Sequence, residues 1–480
     1  MNYSVVIYIL GWIMEIEAAF LALPGIVSAI YGEKGGFAFL WVALGSAVAG
    51  SAIILRKPKN MRFYLREGFV TVALSWILMS VIGCLPFVIN GDIPHFADAL
   101  FEMISGFTTT GATVVSDVEG LTKGSLFWRS FSHWIGGMGV LVFLLAIVPM
   151  AGGSHMNLMK AESPGPSVGK LVPKVRQTAK YLYIIYFALT MIEVIFLLFG
   201  GMNLFEALTT SFGTAGTGGF AIWNDGFVSV SPYNQWVVTI FMLLFGVNFG
   251  FYFLILTGKL RDALKFEEVR IYFIIVIAAA VFIFINLRHF ALYAPAEGIR
   301  QAFFQVASII TTTGFASADF NLWPETSRTI LVLFIVACAG RTGGGIKVSR
   351  FIIACKSFIK EIISYLHPRS VKKIKIEGKP LEHETLRATN VYFMTYMVIF
   401  AVSVLLVSIE NKDLVTNFAA VAATFNNIGP GLSLVGPMAN FGHFTDFTKY
   451  ILMFDMLAGR LEIFPMMLLF CPAVWKRRRA

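Results

Sequence analysis

Hydropathy along this chain alternates on a long period, with apolar runs separated by short polar loops. The runs lie at about residues 4–30, 37–55, 68–89, 125–149, 179–200, 235–257, 271–287, 328–362 with an interruption, 389–409 and 447–474. Each is long enough to cross roughly 30 Å of hydrocarbon at 1.5 Å per residue, so the pattern predicts ten crossings. The first run carries Glu15 and Glu17 and has neither a basic leader nor a small-residue cleavage site, which predicts a retained helix and not a signal peptide.

Four further apolar stretches are too short to cross: His95 to Thr108, Asn203 to Thr214, Gly298 to Thr311 and Asp413 to Phe425. A stretch of about twelve residues is about 18 Å long as a helix, so each should stop inside the membrane. Each runs into a glycine, at Gly111, Gly219, Gly314 and Gly429, spaced by 108, 95 and 115 residues. Eleven positions before that glycine stands a large apolar residue (Leu100, Leu208, Phe303, Phe418), and six positions before it a small one (Ser105, Gly213, Ser308, Ala423). Small residues in membrane helices often serve only as packing surfaces. Their recurrence in one register instead predicts a fourfold repeat of helix, half-helix, glycine turn and helix.

Composition narrows the class. Apolar residues make up 57% and charged residues only 14%, against about 25% in soluble domains, which excludes a soluble enzyme. The aromatic content excludes disorder, and four cysteines (Cys84, Cys338, Cys355, Cys471) in apolar runs read as buried free thiols. The net charge of +10 suggests nucleic acid until its distribution is read. Of 38 Lys and Arg, 28 fall in clusters at 56–66, 160–180, 259–270, 347–387 (leaving out Arg341) and 476–479. Basic residues concentrated in alternate loops mark the cytoplasmic side, so both chain ends are expected there and no nucleic acid is implied.

Non-helical backbone at membrane depth survives only where it lines a watery path or is buried in protein. Four such turns at one depth predict a pore, and half-helices entering from outside point their partly negative C-terminal ends at its centre. Glycine permits backbone angles that let successive carbonyls face one axis. The candidate ion-binding residues are Thr109, Thr110 and Gly111; Thr217, Gly218 and Gly219; Thr312, Thr313 and Gly314; and Asn427, Ile428 and Gly429. They offer neutral oxygens and no carboxylate, which suits a weakly hydrated monovalent cation better than Ca²⁺ or Mg²⁺.

At these residues the chain resembles the TrkH-type subunit of the Trk/Ktr/HKT superfamily of potassium transporters. The likeness rests on FEMISGFTTTGAT around Gly111, SHWIGGMGVLVFLLAIVPM from Ser132, KAESPGP from Lys160, NQWVV and GVNFGFYF in the second repeat, and QVASIITTTGF before Gly314. It continues in GGGIKVSR from Gly343, ATFNNIGPGL around Gly429 and GRLEIFP from Gly459. The resemblance implies an all-α polytopic membrane protein with four pseudo-symmetric repeats around one pore and two extra N-terminal transmembrane helices. The corresponding divisions are 1–66, 67–160, 161–268, 269–366 with a gating loop at 338–346, and 367–480. It further implies K⁺ bound at the four filter glycines and their neighbours, no covalent cofactor and no enzymatic activity. A homodimer, a TrkA-type cytosolic regulator that itself binds the nucleotide, membrane lipid around the chain and a prokaryotic inner-membrane location complete the expectation.

Four glycines within Gly340-Arg341-Thr342-Gly343-Gly344-Gly345 cannot stay helical, each costing about 1 kcal/mol relative to alanine. This segment resembles the family's intramembrane gating loop, although relatives commonly carry a small residue where Arg341 stands. A phosphate-binding loop is excluded because Lys347 comes one position late, Val348 replaces the hydroxyl residue and no strand precedes it. Arg460 resembles a family arginine projecting toward the pore; it is either paired with Glu462 or Asp455, or an electrostatic barrier that limits flux. The seven histidines have no ligand spacing, and His133 reads as interfacial, as do Trp323 and Trp475. The loop from His367 to His383 is either a regulator-docking site or a patch for anionic lipid. A Na⁺- or H⁺-coupled symporter and a non-conducting scaffold remain the alternatives.

Overall fold

The computed structural model describes residues 1–59, 61, 64–147, 175–337, 348–367, 374–376, 379–381, 383–461 and 463–476. The described chain is helical apart from one two-residue antiparallel pair, β1 (Lys375–Ile376) and β2 (Lys379–Pro380). Two antiparallel helices come first, α1 (Tyr3–Ile30) and α2 (Gly36–Ile54). Their contact is a seam of small residues: a Cβ on Gly36 would overlap Ser28, and one on Gly11 would come within 2.8 Å of Ile53. Close backbone approach replaces the hydrophobic drive that lipid removes.

Four repeats follow. The first comprises α3 (Leu65–Asn90), half-helix α4 (Phe96–Phe107) and α5 (Lys123–Ile147). The second comprises α6 (Val175–Phe199), half-helix α7 (Leu204–Ala215), α8 (Pro232–Gly246) and α9 (Phe249–Leu256), followed by the short α10 (Leu260–Leu264). The third comprises α11 (Glu267–His289), half-helix α12 (Pro295–Ile310), α13 (Glu325–Ala337) and α14 (Val348–Leu366). The fourth comprises α15 (His383–Val407), half-helix α16 (Leu414–Phe425), α17 (Asp446–Arg460), α18 (Ile463–Leu469) and α19 (Pro472–Trp475). Among the described residues six helices are long and apolar enough to cross a membrane, seven if α8 and α9 count as one.

Three of the four half-helices begin where the sequence offers capping chemistry, and α4, which follows His95, has no side-chain cap. Asn203 forms a reciprocal capping box with Glu206, Asp413 accepts from the Thr416 N–H at 2.9 Å, and Pro295 opens α12 three residues before the expected start. Each half-helix packs between the two full helices of its own repeat and against an inner helix of the preceding one: α7 on α5, α12 on α8, α16 on α13 and α4 on α17. That cyclic order closes the four repeats into one ring. The Met1 amine donates to the Lys476 carbonyl (3.2 Å), so the first and last described residues lie together.

Two expected crossings are not straight. The run 235–257 breaks at Val247-Asn248, where α8 and α9 meet at 86°; Asn248 caps α9 by accepting from the Gly250 N–H (2.9 Å) and donates to Glu268 (2.9 Å). The run 447–474 is divided among α17, α18 and α19. Apolar patterning registers total hydrophobicity and is blind to such breaks. Two further expectations are corrected: of the cysteines Cys84 is buried, but Cys355 is exposed on α14, Cys471 is half-buried and Cys338 lies outside the described residues; and Trp323 is 3% exposed, with its indole N–H on the Tyr293 hydroxyl (3.2 Å).

Candidate functional site

All four half-helices end in one motif. The residue two before the repeat's glycine takes a left-handed conformation: Thr109 (φ 55°), Thr217 (54°), Thr312 (59°) and Asn427 (54°). Its N–H donates to the carbonyl three residues back, and the next N–H donates five back: Thr110 to Ser105, Gly218 to Gly213, Thr313 to Ser308 (each 2.9 Å) and Ile428 to Ala423 (2.9 Å). These are Schellman caps, in which the left-handed residue is usually glycine. Here three are threonine, for which that region costs about 1–2 kcal/mol, and such strain persists only where surrounding packing enforces it. The small residue noticed in the sequence is the one whose carbonyl closes the motif.

The four recurring glycines are left-handed too, at φ 79°, 77°, 87° and 92° for Gly111, Gly219, Gly314 and Gly429. Building a Cβ on each identifies its neighbour. On Gly111 it would overlap the Gly218 carbonyl, on Gly219 the Thr313 carbonyl, and on Gly314 the Ile428 carbonyl; on Gly429 it would lie 2.7 Å from the Thr110 carbonyl. The contacts run from the first turn to the second, third, fourth and back to the first. The four turns, each 95 to 115 residues from the next in sequence, therefore form one closed ring of touching backbone, too tight for any side chain at these four positions.

The candidate ion-binding residues are thus brought together. Thr109, Thr110, Thr217, Thr312, Thr313, Asn427 and Ile428 are all fully buried. One oxygen recurs without a partner among the described residues in every turn: Oγ1 of Thr109, Thr217 and Thr312, and Oδ1 of Asn427. Buried oxygens without partners are uncommon, and these four recur at one register position. The next hydroxyls are braced: Thr108 and Thr110 share a hydrogen bond (2.8 Å), as do Thr311 and Thr313 (2.7 Å). Asn427 breaks the pattern by donating to Thr110 Oγ1 (2.8 Å) and the Met456 carbonyl (2.9 Å), tying the fourth turn to the first.

Inner helices reach the ring through glycines. A Cβ on Gly136 would overlap the Phe107 carbonyl, one on Gly459 the Phe425 carbonyl, and one on Gly246 would come within 2.7 Å of Thr311. His133 is not interfacial. It is fully buried against the second turn, where a Cβ on Gly218 would overlap its ring, and it stacks on Phe220 at 4.3 Å.

Arg460 is half-buried at the end of α17 and donates to the Gly136 carbonyl (2.7 Å), which bridges α17 to α5. Of its two expected partners, Asp455 accepts from Ser403 (2.7 Å), and Glu462 lies outside the described residues. Gly340, Arg341, Thr342, Gly343, Gly344 and Gly345 also lie outside them. On the outer side, the hydrogen bonds from the Thr416 hydroxyl and N–H hold the Asp413 carboxyl below its usual range. The Asn224 amide does the same for Asp117, joining the outer loops of the first two repeats.

Sequence reasoning missed the left-handed residue before each glycine and the role of His133. It also passed over Glu102 and Arg129, although ionisable residues in apolar runs are themselves a signal.

A family model described as TrkH, cation transport protein, matches residues 37–477. The Trk system potassium uptake protein TrkH of Escherichia coli (strain K12) is 36% identical over 491 residues, covering 99% of this chain and 100% of that protein. The protein of that name from Vibrio parahaemolyticus serotype O3:K6 is 34% identical, with coverage of 99% and 100%. The crystal structure of the potassium transporter TrkH from Vibrio parahaemolyticus superposes with a TM-score of 0.88 at 32% identity, covering 99% of this chain and 100% of that one.

Proposed function

The chain belongs to the TrkH family of cation transport proteins, and we propose that it takes up potassium ions across a prokaryotic cytoplasmic membrane through the ring of four turns. The closed cyclic contact of Gly111, Gly219, Gly314 and Gly429 carries this reading, because it supports one narrow opening walled by backbone. A cation entering it exchanges water for carbonyl oxygens of the turns and for the partnerless oxygens of Thr109, Thr217, Thr312 and Asn427. Four half-helix C-termini add negative potential without a fixed carboxylate. That environment stabilises a monovalent ion enough for entry while leaving it free to exit.

Control of flow is assigned to the Gly340–Gly345 segment with Arg341, and to Arg460, whose permanent charge below the ring raises the barrier for a cation. The regulator is a TrkA-type cytosolic partner carrying its own nucleotide, and the transporter is a homodimer. Positive-inside charge clusters support cytoplasmic chain ends, and the contact of Met1 with Lys476 agrees with a shared side.

A proton-coupled symporter has one observation in its favour. Glu17 is fully buried on α1, and neither carboxylate oxygen has a partner among the described residues. Uptake of ⁸⁶Rb⁺ into vesicles containing the purified protein separates the readings. Uptake that follows voltage alone is expected. Uptake that requires a proton or Na⁺ gradient contradicts the channel-like reading, and no uptake under any condition indicates a scaffold.

A further inference from the structure

Behind the junction of the first and second turns lies a buried ion pair. Glu102 stands on α4 nine residues before Gly111, and Arg129 stands on α5; their side chains are 0% and 2% exposed. Arg129 Nη2 lies 2.7 Å from Glu102 Oε1, and Nε donates to the same oxygen at 2.8 Å. Glu102 also accepts from the Val114 N–H (3.0 Å) and the Thr113 hydroxyl (2.9 Å), the residues that leave the first turn. Arg129 reaches the other way. It donates to the Ala221 carbonyl (3.4 Å), and its guanidinium lies 4.2 Å from the Phe220 ring centre, so it holds the residues that leave the second turn. Phe220 in turn stacks on His133, whose ring fills the space that a side chain at Gly218 would need.

The other repeats show what is particular here. At the position equivalent to Glu102 they carry Thr210, Gln305 and Ala420. Gln305, with its amide oriented to satisfy its neighbours, accepts from the Ser317 N–H at 2.9 Å and the Ala318 N–H at 3.2 Å. A neutral amide thus pins an exit limb to its own half-helix, whereas the charged pair in the first repeat also grips the neighbouring turn.

We propose that Glu102 and Arg129 are positioning residues for ion discrimination, fixing the width of the ring at the seam between its first and second turns. The proposal rests on the ion-selecting reading of the ring. Neutral oxygens distinguish a larger from a smaller alkali cation best where the cage resists contraction, and a desolvated, fully hydrogen-bonded ion pair resists displacement on both sides. Removing one partner strands a buried charge, whereas removing both does not. The double variant E102Q/R129Q therefore decides the matter, because a glutamine amide in place of the Glu102 carboxylate can keep the Val114 bond as Gln305 keeps its own.

The experiment measures ⁸⁶Rb⁺ uptake by purified, reconstituted full-length protein under rising external Na⁺. The expected double variant is monodisperse and keeps Rb⁺ uptake, while the Na⁺ concentration that halves uptake falls at least about tenfold; Arg129→Lys, which keeps the charge, falls between it and the wild type. A folded double variant with an unchanged Na⁺ dependence overturns the proposal. So does one that has lost Rb⁺ and Na⁺ uptake alike, since that shows a general structural role. Lack of Rb⁺ preference in the wild-type protein instead counts against the functional reading itself.

Discussion

At the scale of single residues, the ring is specified by what cannot be placed there. Gly111→Ala puts a methyl group into the Gly218 carbonyl at a left-handed backbone position, and ⁸⁶Rb⁺ uptake is expected to fall at least about tenfold with the protein still inserted in the membrane. Asn427→Thr keeps an oxygen but loses the bonds to Thr110 and Met456; it should lower thermal stability by about 1–3 kcal/mol, measured by unfolding in detergent. Arg460→Ala removes the charge and its bond to Gly136, and unitary conductance is expected to rise; an unchanged value removes the barrier role. The four glycines were legible in the sequence because they recur in one register. The threonines' backbone conformation was not, since nothing in a threonine announces a left-handed angle that packing imposes. Arg129 carried a signal as an ionisable residue in an apolar run, but its pairing was not legible, because Glu102 and the Ala221 carbonyl that it holds come from two other segments of the chain.

At the scale of elements, half-helices were readable from length alone, because twelve apolar residues cannot span and must turn back. The 86° elbow between α8 and α9 was hidden, since Asn248 is one polar residue within an apolar run and the bend follows from its cap and its bond to Glu268. Asn248→Leu should destabilise the elbow by about 0.5–2 kcal/mol, visible as faster amide exchange in residues 249–256. Asp413 caps the fourth half-helix with its carboxyl held below the usual range, so its contribution is present above the unfolded pKa and lost as pH falls through the folded one. Thermal stability should therefore decline below about pH 4 more steeply in the wild type than in Asp413→Asn. Equal slopes would show that the cap is unimportant to the folded state.

At the scale of the whole molecule, one physical requirement connects the repeats: irregular backbone within a membrane must be enclosed by protein or line a path for water and ions. The cyclic packing of each half-helix on the preceding repeat satisfies the first condition, and the ring of glycine contacts brings the turns together for the second. The sequence repeat predicted that convergence, but the order of contact and the lack of a partner for one oxygen in each turn follow from the packing and not from the pattern. Crystals of the protein grown in Rb⁺ and measured at the rubidium absorption edge test the central claim most directly. The account predicts an anomalous peak enclosed by Gly111, Gly219, Gly314 and Gly429 together with Thr109, Thr217, Thr312 and Asn427. Well-ordered turns with no peak among them, and Rb⁺ bound only elsewhere, would contradict it.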